Sequence, residues 1–152
     1  MKIETFQHLI DWSRQLHQHL AHSLSTTSDK QPDQRAKWLQ TYLADHETEL
    51  EKMVARFEEQ ADPKLLDTWI FNYIASSPFD TGITYCPLYS NQSFEDICKS
   101  VFSMHNQLIE LYRFLVAKAD IPEAEELLKE LLDMEVHETM LLAQQSNRMH
   151  DL

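Results

Sequence analysis

Carboxylate and imidazole side chains sharing one helix face supply oxygen and nitrogen donors for a divalent transition metal, and residues three apart lie on the same face. Glu135 and Glu138 have that spacing, and both fall within the arc of Leu128, Leu131 and Leu142. His105 falls within another apolar arc, that of Val101, Leu108 and Tyr112, and His46 or Glu47 stands at the inner edge of a third. Burying such groups is costly unless a partner or a metal offsets their charge. The competing explanation for any one position is a polar core group satisfied by a neighbour. Glu135, Glu138 and His105 together are harder to explain that way.

Positioning these groups requires long helices. Apolar residues recurring at about 100° per residue predict helices near 3–25, 33–60, 92–118 and 122–149. The first turns Ile3, Phe6, Leu9, Ile10, Leu16, Leu20 and Leu24 inward, and ends at Ser25 to Asp29 with Pro32. Asp11 falls opposite this face; Ser13 and His17 are its only inward polar residues, and the group His17, His19 and His22 reads mostly as surface. The second helix buries Leu39, Tyr42, Leu43, Leu50, Met53, Val54 and Phe57. Ser93 with Asp96 has the form of a capping box at the start of the third, and Pro122 suits the first turn of the fourth. That last helix has Leu127, Leu132, Leu141 and Leu142 among its inward residues.

About thirty residues separate the second and third helices, enough to travel the length of a bundle. They include a compact helical run from Lys64 to Ser76, with Trp69, Phe71 and Tyr73 to pack it on the flank. The expected fold is an all-α four-helix bundle: two antiparallel hairpins joined by a long crossover with a short extra helix, as one domain over residues 1–152.

Composition narrows the function. With 152 residues and a single glycine, the chain lacks the turn residues of an all-β fold. Thirteen Lys and Arg against twenty-five Asp and Glu give a formal charge of −12, which repels nucleic acid and anionic membrane surfaces. Cys86 and Cys98 form no C-x-x-C pair, and no stretch of about 18 apolar residues occurs, so a cytoplasmic protein is expected. Neither a nucleophile elbow nor, with Gly82 alone, a phosphate loop can be built.

Three stretches carry a resemblance: Tyr42 to Leu50, Phe102 to Tyr112, and Pro122 to Glu138. Together they resemble a rubrerythrin-type domain of the ferritin-like superfamily. In that family a Glu stands seven residues before a Tyr on one helix of each hairpin, and the next helix carries Glu-x-x-His. Here His105 stands at the Glu position of the third helix, Glu135-x-x-Glu138 replaces Glu-x-x-His in the fourth, and Glu47-x-x-Leu50 replaces it in the second. On helix one the nearest occupants of the acid position are Ile10 and Ser13. The resemblance implies one iron, manganese or zinc ion held by Glu47, His105, Glu135 and Glu138, with an iron-handling or oxidative-stress role, or a bundle that has lost its metal. The C-x-x-C electron-transfer module of full-length rubrerythrins is not in the sequence.

Two alternatives accompany this expectation. One is a metal-free bundle acting as a homodimer or on a protein partner, with Trp12 and Trp38 at arc edges as contact residues. The other is an apolar-ligand pocket lined by Met53, Met104, Met134 and Met140.

Overall fold

The computed structural model describes residues 3–70 and 89–151. Among them the protein is all-α, with no strand and one isolated bridge, Thr5 to Trp69. Four long helices dominate: α1 (Phe6–Ser28), α2 (Gln34–Gln60), α4 (Phe94–Lys118) and α5 (Pro122–His150). The short α3 (Pro63–Leu66) follows α2, and a 3-10 turn, Tyr89–Asn91, precedes α4.

Local chemistry sets most boundaries. Thr5 caps α1 by accepting from the His8 amide at 3.3 Å, and Ser93 caps α4 by accepting from the Asp96 amide at 3.1 Å. Pro122 opens α5, whose first turn holds Glu123 and Glu125 and whose last holds Arg148 and His150, each sign matching the helix dipole. Helix α1 runs past the predicted stop at Ser25. Thr26 and Thr27 donate their hydroxyls back to the carbonyls of His22 and Ser23, four residues earlier, so these side chains satisfy the helix instead of breaking it.

The predicted helical run from Lys64 ends at Leu66, where the chain turns to an extended course. Backbone bonds from Phe6 to Thr68 and from Ile70 to Glu4 tie that course to the start of α1. Trp69, expected to pack, is 55% exposed, while Phe71 and Tyr73 lie outside the described residues, as does Cys86.

Side-chain pairs give the helix directions. Leu24 meets Gln40, His17 meets Glu47 and Arg14 meets Glu51, so α1 and α2 are antiparallel. The pairs His105–Glu135 and Glu95–His150 make α4 antiparallel to α5. Arg35–His150 and His46–Glu138 likewise make α5 antiparallel to α2.

Most of the inward residues are buried, but Leu141 is 41% exposed. It sits one residue, and so about 100°, from the fully buried Leu142. Trp12 packs inside, whereas Trp38 is 51% exposed. Among the described residues Met53 and Met134 flank an open groove with Phe57, whereas Met140 is exposed.

The apolar interior falls into two clusters. One contains Phe6, Leu9, Leu108, Tyr112 and Leu131; the other contains Leu24, Leu39, Leu43, Val101 and Leu142. On each long helix, the residues between these clusters include one buried ionisable side chain.

Candidate metal centre

Those four side chains are His17 on α1, Glu47 on α2, His105 on α4 and Glu135 on α5, none more than 1% exposed. They close a ring. His17 Nδ1 lies 2.7 Å from Glu47 Oε2 and its Nε2 lies 2.8 Å from Glu135 Oε1. Across the ring, His105 Nδ1 lies 3.4 Å from Glu135 Oε2, and His105 Nε2 meets Glu47 Oε1. The two imidazoles are tilted by 35°, with centroids 5.6 Å apart.

Every ring nitrogen faces a carboxylate oxygen. When both imidazoles carry two protons, four N–H groups donate to four oxygens and two positive charges balance two negative ones. Burial alone would lower the pKa of each histidine, but Glu135 and Glu47 outweigh it, raising His17 to about 9 and His105 to about 10. Burial would also raise the carboxylates. The facing imidazoliums reverse that, holding Glu47 far below its ordinary range and bringing Glu135 to about 2.

The same donor set suits a metal. One ligand atom each from His17, Glu47 and His105 lies within 4.8 Å of the others, so these residues could hold an ion, and Glu135 hydrogen-bonds both histidines. An ion held there would lie between side chains that now bond one another directly, as His17 Nδ1 and Glu47 Oε2 do at 2.7 Å. It would also replace the present ion pairs, since each imidazole must release a proton to ligate.

Of the four residues predicted to ligate, the fold brings together Glu47, His105 and Glu135. Glu138 is placed elsewhere. Three residues beyond Glu135 is a rotation of about 300°, which turns Glu138 aside toward α2. There it accepts from His46 Nε2 at 3.0 Å, both side chains being 13% exposed. Tyr42 stacks on His46, its ring centroid 6.3 Å away. His17 takes the remaining position on helix one, where Ile10 and Ser13 were the expected occupants. It is buried, as its inward phase predicts, and its neighbours His19 and His22 are exposed. A signal was present: His17 to Glu47 and His105 to Glu135 are each separated by 30 positions.

No protein-family model, curated protein or solved structure matches the chain.

Two further features border the ring. Ser13, one turn before His17, donates to the Leu9 carbonyl at 3.0 Å, so the buried Tyr112 hydroxyl, 2.7 Å from Ser13 Oγ, is the donor in that contact. Burial and the Glu135 charge push the Tyr112 phenol far above its usual range, keeping it protonated. Between α1 and α2, Arg14 pairs with Glu51 at 2.9 Å and Glu58 at 3.3 Å, within reach of solvent.

Proposed function

We propose that this chain is a ferritin-like four-helix bundle, with α1–α2 and α4–α5 as its hairpins, that holds one divalent iron, manganese or zinc ion among His17, Glu47, His105 and Glu135. The observation that carries this reading is the convergence of one buried ligating side chain from each long helix on the level where the apolar core is interrupted. Two carboxylates and two neutral imidazoles give a net charge of −2, which one divalent ion cancels. A second ion would leave excess positive charge in the core, which is costly, so the site is read as mononuclear. A bound ion would supply Lewis acidity or, as iron or manganese, one-electron chemistry. The protein's part is to fix the donors, exclude water and take back two protons when the ion leaves. Handling of iron or reactive oxygen in the cytoplasm fits this chemistry, and a reducing compartment suits the free thiol of Cys98.

Titration of metal-stripped protein with Co2+, followed by d–d absorption, tests the proposal. Saturation at one ion per chain, abolished in His17→Ala and Glu135→Ala, is expected. A folded wild-type protein that develops no such absorption overturns it.

A second reading has its own support: the ring is complete without an ion, each imidazole nitrogen already having its carboxylate. On this reading the chain is a metal-free bundle whose tetrad fixes helix register, and the exposed Trp38 face of α2 serves a homodimer or another protein partner. Light scattering of wild type against Trp38→Ala separates the two: a dimer lost in the variant, with no Co2+ bound by either protein, favours this reading.

A further inference from the structure

A ring no more than 1% exposed must be loaded through a polar seam between helices, and two such seams stand out among the described residues. One is the Arg14–Glu51–Glu58 group between α1 and α2, where the guanidinium occupies both carboxylates and repels an approaching cation. The other is the His46–Glu138 pair between α2 and α5. Its members adjoin the ring in sequence, His46 preceding Glu47 and Glu138 lying one turn after Glu135. Both side chains are 13% exposed, so the pair touches solvent and the interior alike. His46 Nδ1 is buried without a hydrogen-bond partner, so one strong donor or acceptor there has nothing to satisfy it.

From this geometry we infer that His46 and Glu138 form an outer transfer pair, which takes a divalent cation from solvent and delivers it to the buried ring. The inference rests on the metal-centre reading above. Glu138 contributes a carboxylate and His46 an imidazole, the donor types of the ring itself, so the cation exchanges like ligands for like at each step. The formal charge of −12 raises the local cation concentration around the whole molecule. A pair lying only on the route lowers the barrier between solvent and ring without altering the ring's affinity. Uptake and release must therefore change by one factor when the pair is removed.

Stopped-flow mixing of metal-stripped protein with Co2+, and release into a chelator, tests the inference on wild type, Glu138→Gln and His46→Gln, with Arg14→Gln as the contrasting seam. The expected result is unchanged stoichiometry and dissociation constant, with uptake and release both slowed about tenfold in the two pair variants, equivalent to about 1.4 kcal/mol on the barrier. Arg14→Gln should load no more slowly than wild type. Wild-type rates in both pair variants overturn the inference and leave the buried centre standing. Loss of equilibrium binding in Glu138→Gln also overturns it, by making Glu138 a ligand. A wild-type protein that takes up no Co2+ removes the inference together with the centre. Circular dichroism melts of each variant establish that a changed rate is not unfolding.

Discussion

Helix α2 carries two glutamates one turn apart, Glu47 and Glu51, and both face cations, yet their surroundings differ in every respect that matters. Glu51 pairs with Arg14 at a partly exposed seam, where water screens the charges and can resolvate a broken pair. Glu47 meets two histidines in a space with no exposure at all. There, no water stands ready to replace a lost partner, and the protonation of each imidazole depends on the carboxylates beside it. An arginine holds its proton under all ordinary conditions and so can only pair, whereas a histidine can give its proton up and ligate. The same acid on the same helix is thus half of a partly exposed ion pair in one place and a member of a buried ring of titratable groups in the other.

The largest effect should come from breaking the buried member. In metal-free protein Glu47→Ala leaves two imidazoles without one of their two shared acceptors and should lower stability by about 3–5 kcal/mol, read as a shift in urea midpoint at constant slope. Glu51→Ala, one turn away, should cost about 0–1 kcal/mol. Equal costs would erase the contrast.

A pH series sharpens it next. Because the folded pKa values of His17 and His105 are raised from 6.5 to about 9 and 10, their stabilisation is complete below 6.5 and is lost as pH rises through that range. The carboxylates are lowered, so their contribution is present above 4.5 and lost as pH falls, for Glu135 toward about 2. Metal-free protein should therefore melt highest between these limits, from 4.5 to 6.5. Protection by added Co2+ should instead grow with pH above 6.5, since ligation requires deprotonated imidazoles. A flat metal-free profile between 6.5 and 10 would contradict the doubly protonated ring.

A smaller effect is expected from a buried but neutral polar group. Gln40 donates to the Leu24 carbonyl at 3.1 Å and to Thr27 at 2.9 Å, and accepts from Gln31 at 3.0 Å, which in turn bonds the carbonyls of Tyr89 and Gln92. Gln40→Ala should cost about 1–3 kcal/mol by thermal melting, between the charged interior and the surface seam. Arg14→Ala, at the same seam as Glu51, belongs with the smallest effects, about 0–1 kcal/mol.

The helices and two of the four ring residues were legible because a polar residue inside an apolar arc is a violation that periodicity exposes, as at His105 and Glu135, whereas on the second helix the pattern left His46 and Glu47 open. Two features were not. Glu138 satisfies the same inward criterion, but an arc wide enough to bury leucines spans both the interior and the seam, and phase alone does not separate a residue facing the ring from one facing α2. His17, though phased inward, is not marked as a ligand by its sequence: a run of histidines with two exposed members looks like surface, and only pairing α1 with α2 makes its distance to Glu47 meaningful. The end of α1 lies beyond Ser25 because serine and threonine compete for backbone bonds in either direction, and here Thr26 and Thr27 bond back into the helix.

Metal content per chain tests the central claim most directly. Protein purified from metal-replete medium, gel-filtered and measured by elemental analysis, should carry close to one equivalent of iron, manganese or zinc, and Glu135→Ala and His105→Ala should carry none. Less than a tenth of an equivalent in folded wild type, unaltered by either substitution, would contradict the account.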